Sequence, residues 1–459
     1  MIGGATGDVG LPGSHHAGAR IAVLPGVVVD YLARGTGRGV VHLYGGTAAL
    51  MEDVRAQAGA SLTDTEEQTM SGRAWVVVVL ALTSLVVAGM PVASQDSLEG
   101  VVRRIGDSAD PVVASVLISQ DAFPVDGTTE GVVVAREDVF ADALAGAALA
   151  GGARPILFTT GGPDAPLRPE VEEEIVRLLG AAHGCEVAPH GEVLALGGTQ
   201  AVSAAAVEAI EAAGYCVRRF AGASRVETSV LIAEEVIARS GGVAVGPLLV
   251  SRDDNFADAA TGGSLAAYLG VPLVVTPTGA LHPAVADLLA QGGVSSAVLL
   301  GGTAALSEEV EVALVDAVEL VGRLAGPSRD ATAAAIAAGP WRHAPVGGVT
   351  LVGGFAPDGF TYAIASAVTA AREVAPQLYV QPDAVPASTA EVIEGYAQRG
   401  VRDIIVVGPG GSVGDGVAAE AARVAADPPP LPEPLVAFGV ASADVDQRGI
   451  YVAEAADGS

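Results

Sequence analysis

The sequence predicts an α/β fold built from three tandem modules, each a parallel sheet covered by helices. Three observations carry this. Short runs rich in Val, Leu and Ile alternate with longer amphipathic runs between about residues 100 and 425. The same ordered set of runs occurs three times. Aromatic residues make up only 4% of a chain that is 50% apolar, so Ala, Val, Leu and Gly must do the packing, as in tight helix-on-sheet layers.

The second copy shows the pattern most fully. RRFAGASRVETSVLIAEEVIARSGG, from Arg218, reads as a short strand, a turn and an amphipathic helix. PLLVSRDDNFADAATGGSLAAYLGVPLVVTP follows as a strand (248–251), an acidic loop, a helix (256–268) and a strand (272–276). LHPAVADLLAQGG is a helix with Pro283 in its first turn, where a missing N–H is tolerated. SAVLLGGTAALSEEVEVALVDA is a strand, a glycine turn and a helix. Ser307 is placed to cap that helix, and Glu308 and Glu309 sit where its dipole favours negative charge.

The first copy repeats this order through GVVVAREDVFADALAGAALAGGARPILFTT (131–160), a helix from Arg168 and GEVLALGGTQAVSAAAVEAI from Gly191. The third runs through GVTLVGGFAPDGFTYAIASAVTAA (348–371), QLYVQP, VPASTAEVIEGYAQRG and RDIIVVGPGGSVGDGVAAEAARV (402–424). The glycine turn begins at Gly197, Gly301 and Gly408, intervals of 104 and 107 residues. Glycine there permits positive φ and a tight reversal. The helix after the acidic loop carries Asp142, Asp258 and Tyr362 in equivalent places. The extra length of copy one falls near 180–190, in a Gly/His/Pro-rich loop. RRIG, RRFAG and GRLAG read as the junctions, giving modules 95–217, 218–322 and 323–426, followed by a proline-rich linker and tail, 427–459.

The letters GGTAAL at 301–306 also occur at 45–50. RIAVLP, VVVDYLARG, GVVHLYGGTAALMEDVRAQA reads as strand, helix, strand, turn, helix, the back half of a fourth module within 1–69. It precedes MSGRAWVVVVLALTSLVVAGMPVASQ, in which Arg73, an apolar run and Val92-Ala93-Ser94 form an export signal spanning 70–94. The uncharged run from Ala74 to Ser94 is 21 residues, long enough to span a bilayer, but Pro91 and the small-residue end favour cleavage. The natural start is therefore expected at Met70, with 1–69 an extension outside the natural protein, and no stable membrane insertion is expected after signal removal.

The formal net charge is −29 and all 24 basic residues are arginine. Such a surface repels a phosphate backbone, which argues against nucleic acid, and no basic amphipathic run offers a membrane patch. Cys185 and Cys216 stand as a disulfide or as two buried thiols with equal claim. No CxxC, HExxH or paired His/Cys spacing is present, so zinc is not expected. Catalysis has little support: no G-x-S-x-G elbow is present and the seven histidines are scattered.

At RRFAGASRVET, NFADAATGGSLAAYLG, VPLVVTP and VLLGGTAALS the sequence resembles the cell-wall-binding repeat 2 family of Gram-positive surface proteins, over roughly 101–425. The resemblance implies three Rossmann-like repeats in a pseudo-threefold arrangement, holding the protein non-covalently on the wall through an anionic secondary polymer. Copy three departs by carrying Tyr362 for the helix aspartate and GPGGS for GGTAA. In copy one, RRIGDSADPVV aligns Asp110 with Arg225 and Arg329. The implied sites are therefore not threefold equivalent.

The candidate polymer-binding residues carry two readings each. Asp142 and Asp258 lie beyond the carboxyl ends of strands, where open α/β sheets bind ligands, or they complement a helix dipole. Arg225 with Thr228 and Arg329 with Thr332 share S-R-x-x-T, a fork for phosphate or carboxylate or an intermodule salt bridge. Gly197-Gly198-Thr199 and Gly301-Gly302-Thr303 offer amides to an anion at a helix start, or simply turn the chain. Asp253-Asp254 and Glu308-Glu309 suggest divalent bridging, with calcium as the ion, or a solvated face; a calcium loop is absent. The expectation is a secreted, non-catalytic wall-binding protein without a resident cofactor or metal. A wall-polymer or sugar-phosphate enzyme using Asp142 or Asp258, and a surface-assembly scaffold, are the alternatives.

Overall fold

The computed structural model describes residues 100–182, 192–356 and 358–428, and the backbone of four strands nearer the N-terminus. Those strands are β1 (Gly18–Leu24), β2 (Val27–Arg34), β3 (Arg38–Gly45) and β4 (Met70–Ser71), in an antiparallel sheet of that order. This corrects the half-module expected within 1–69, in which VVVDYLARG was a helix between parallel strands. Val27, Val28, Val29 and Tyr31 favour a strand, and connections of two and three residues reach only an antiparallel neighbour. The helix expected after GGTAAL and the export signal beyond Ser71 lie outside the described residues. The four strands fall in a compact unit ending at Ser97, and residues from Leu98 form a second unit.

The second unit holds three four-stranded sheets. The first repeat contributes β5 (Val102–Ile105), α1 (Pro111–Ala122), β6 (Gly131–Arg136), α2 (Gly146–Ala150), β7 (Ile156–Thr159), α3 (Pro169–Leu179), β8 (Glu192–Leu196), α4 (Ala204–Ala212) and β9 (Cys216–Phe220). The second contributes α5 (Arg225–Arg239), β10 (Leu248–Arg252), α6 (Ala257–Leu269), β11 (Leu273–Thr276), α7 (Pro283–Ala290), β12 (Ser296–Leu300), α8 (Glu308–Ala317) and β13 (Leu320–Leu324). The third contributes α9 (Arg329–Ala338), a 3-10 turn (Pro340–His343), β14 (Gly348–Gly353), α10 (Gly359–Arg372), β15 (Gln377–Val380), α11 (Ala387–Ala397), β16 (Asp403–Val407) and α12 (Asp415–Ala426). The elements expected in copy two agree to within a residue at each end.

Sheet orders are β7-β6-β8-β9, β11-β10-β12-β13 and β15-β14-β16-β5, with every pairing parallel. The openings RRFAG and GRLAG lie where one module passes into the next. They supply the fourth strand of the preceding sheet, so the expected boundaries at 217/218 and 322/323 cut through β9 and β13. Among the described residues RRIG has no preceding parallel sheet of this kind. Its strand β5 pairs with β16 of the third repeat, Val102 opposite Ile404 and Ile105 opposite Val407, and closes the three modules into a ring. A parallel edge left bare would expose a row of amides and carbonyls. Cys216 on β9 is disulfide-bonded, and the sequence's other cysteine, Cys185, lies outside the described residues.

At the centre α2, α6 and α10 pack against one another. Nearly every residue of α6 and α10 is buried, which explains why neither shows a polar face. Small side chains allow the approach: a Cβ on Gly263 would lie 3.0 Å from that of Ala147.

Candidate functional site: the module junctions

Phe140, Phe256 and Phe360 each precede the key helix position by two residues. Their ring centroids lie 6.1, 5.8 and 6.0 Å apart, a nearly equilateral triangle that marks the pseudo-threefold axis. Edge-to-face and tilted contacts of this kind suit the aromatic quadrupole. Around this axis the carboxyl ends of the three sheets meet at three junctions.

Each glycine turn lies under its key helix residue. Gly197, Gly301 and Gly408 have φ of 86°, 100° and 89°. A Cβ on Gly301 would fall 2.5 Å from Asp258 Oδ2, one on Gly197 would strike the Asp142 carboxylate, and one on Gly408 would lie 3.0 Å from the Tyr362 ring. The turns are braced from the edge strands. The first glycine N–H donates to Phe220 O, Leu324 O and Ile105 O respectively. Arg219, Arg323 and Arg104 donate back to the carbonyls of Gly197, Gly301 and Gly408 at 2.7, 2.8 and 2.7 Å. These edge arginines were missed in the sequence reading, although the second Arg of RRI and RRF and the Arg of GRL recur in register with the turns.

The turn glycines do not open a helix. The first amide is committed to the sheet, and the next helices start only at Ala204 and Glu308. Ser203 Oγ caps the first of them, while Ser307 sits at the N-cap of the second without bonding its amides. Gly198 and Gly302 face open space, and Thr199 and Thr303 are exposed. These residues form a sheet-closing turn rather than a helix-start amide cradle.

The S-R-x-x-T segments lie at the junctions. Ser224 and Ser328 cap α5 and α9. Thr228 and Thr332, buried one turn in, accept the N–H of Gly222 and Gly326 at 3.1 and 3.2 Å. Thr332 also hydrogen-bonds Asp258 of the preceding module; burial nevertheless pushes the Asp258 carboxyl up to about 6, against the pull of Thr332, Arg252 and Arg329. Arg225 donates to Asp253 O (2.6 Å) and stacks over Phe140 of the first module (5.6 Å). Arg329 donates to Gly354 O (2.5 Å) and lies over both Phe256 (5.6 Å) and Phe355 (5.5 Å). The expected intermodule salt bridge does not form: among the described residues neither guanidinium has a carboxylate within ion-pair distance. Arg136, Arg168, Arg177, Arg218, Arg239 and Arg252 all do.

The third junction is built differently. Ser115 Oγ accepts the N–H of Phe158 as Ser229 Oγ accepts that of Val275, which sets the true register of α1 against α5. Asp110 therefore matches the cap Ser224, not Arg225; it accepts from Val112 and Val113 N–H and pairs with Arg168 at 2.9 Å. Pro111 stands where the junction arginine should be, and Ala114 replaces the threonine. A one-residue insertion in the opening hid this from the alignment. Opposite them, the Tyr362 hydroxyl donates to Ser108 O at 3.0 Å.

The sequence signature of Cell wall binding domain 2 (CWB2) matches residues 104–208, 219–311 and 323–418, well over half of the chain. The chain belongs to the cell wall binding domain 2 family. A segment of 118 residues is 31% identical to the N-acetylmuramoyl-L-alanine amidase LytC of Bacillus subtilis (strain 168), covering 26% of this chain and 23% of the amidase. Two solved structures share the fold. Cwp8 from Clostridium difficile has a TM-score of 0.60 at 22% identity, covering 89% of this chain and 64% of that one. Cwp6 from Clostridium difficile has a TM-score of 0.61 at 18% identity, covering 86% and 57%. The chain thus spans less than two thirds of each of these relatives. Among the described residues no helix is long and apolar enough to cross a membrane, and no group of His, Cys, Asp or Glu is arranged to hold a metal ion.

Proposed function

We propose that this CWB2 chain is an exported, non-catalytic anchor that holds an anionic secondary polymer of the wall at its module junctions. The observation that supports this most is the state of Arg225 and Arg329. In a chain of net charge −29 they are half-buried, fixed by a backbone carbonyl and an aromatic face, and left without a carboxylate partner. An ordered fork with unused donors is suited to a phosphate or carboxylate. Weighing against the enzyme alternative, the Asp258 carboxylate lies over the Gly301 turn and is bonded by Thr332.

The test is the bound fraction of a purified 95–459 fragment on cell walls before and after acid or hydrofluoric stripping of secondary polymer, with and without calcium. Binding lost on stripping supports the anchor. Binding that survives stripping points to a protein scaffold, and no binding to intact walls in either ionic condition overturns the proposal.

A further inference from the structure

The three junctions differ in ways that predict how many polymer sites this chain has. We propose that the anion is held at two junctions only, more tightly at Arg329 than at Arg225, and that the third junction is a structural clasp. This rests on the polymer reading above and adds to it the number, place and rank of the sites.

At the first-to-second junction Arg225 bonds Asp253 O, and the next residue is Asp254. Its carboxylate is gripped by Arg252 and feels the charge of Arg225; the hydrogen bonds from Arg252 hold it below the usual carboxylate range. An anion arriving at Arg225 therefore competes with an exposed carboxylate that already feels the charge of Arg225 and that Arg252 offsets in part. At the second-to-third junction the equivalent carbonyl is Gly354 O, and the next residue is Phe355. The loop there is three residues longer between the strand and the axial phenylalanine, and it brings a 38%-exposed ring against the guanidinium instead of a carboxylate. Arg329 is thus held between two rings; the carboxylate whose charge it feels, Asp258, is buried and bonded by Thr332 rather than exposed on the loop, and the apolar face beside the guanidinium suits a sugar carrying the anion. At the third-to-first junction Pro111 has no guanidinium, and the phenol of Tyr362 occupies the place of the aspartate and bonds Ser108 O. The chemistry recognised is a sugar-borne phosphate or carboxylate.

Calorimetric titration of the purified 95–459 chain with the anionic polymer fraction released from walls by mild acid tests this. Two classes of site per chain are expected. R329Q should remove the tighter class, with at least a tenfold loss, and R225Q the weaker. D254N, an exposed change that leaves both arginines in place, should strengthen the weaker class severalfold and leave the tighter one unmoved. Y362F should preserve both. Circular dichroism of each variant confirms folding. Three sites, equal sites, or a D254N chain indistinguishable from wild type would overturn the inference and leave the anchor standing. No binding by the wild-type chain would overturn both.

Discussion

Tyr362 and Ser108 join the two ends of the repeat array: the phenol of one donates to the carbonyl of the other across 254 residues of sequence. The contact lies beside the pairing of β5 with β16, so a side chain and an edge strand close the ring at the same place. Burial pushes the Tyr362 hydroxyl up to about 12, so it stays a donor throughout the neutral range.

Y362F should therefore cost about 1 kcal/mol, the usual net worth of one hydrogen bond. Y362D should cost clearly more, because it removes a ring from the buried face of α10 and places a carboxylate opposite Ala114 rather than a threonine. Urea unfolding of the two variants checks the order.

Removing the chain up to residue 107 should leave β16 as a bare parallel edge. The expected result is a lower unfolding midpoint and concentration-dependent association, since an unpaired edge recruits other strands. Light scattering of fragments starting at 98 and at 108 would distinguish this from a merely shortened terminus: only the latter should associate.

Asp258 should make the chain less stable as pH rises. Its folded value of about 6 lies above the ordinary 3.8, so between about pH 4 and 6 the unfolded chain releases a proton that the native state keeps. Stability is lost across that window and stays lower above it. D258N still accepts from Thr332 and carries no such titration. Its stability relative to wild type should rise from pH 4 to pH 7, as read by urea midpoints; a constant difference would contradict the assignment.

G301A should be destabilising by about 1–3 kcal/mol, because φ of 100° is strained for any residue with a Cβ and that atom would press on the Asp258 carboxylate. G302A, at a glycine facing open space, should be far milder. Thermal unfolding of the pair separates backbone need from coincidence.

Local order was legible in the sequence. The strands and helices of copy two, the positive-φ glycines and the parallel α/β class follow from periodicity, β-branched content and turn chemistry, which act over a few residues. The family was legible from four motifs recurring in order. What the sequence could not decide is which sheet each edge strand joins. β9 and β13 add to the sheet before them and β5 to the sheet farthest away, because the choice depends on which bare edge lies within reach once the axial helices have packed. The same holds for the site. Arg225 and Arg329 looked alike as letters; only the fold placed Asp254 beside one and Phe355 beside the other, and put Pro111 where a third should be. Charge and aromatic contact are properties of neighbours in space, and here those neighbours come from loops whose lengths differ by three residues and from an opening shifted by one.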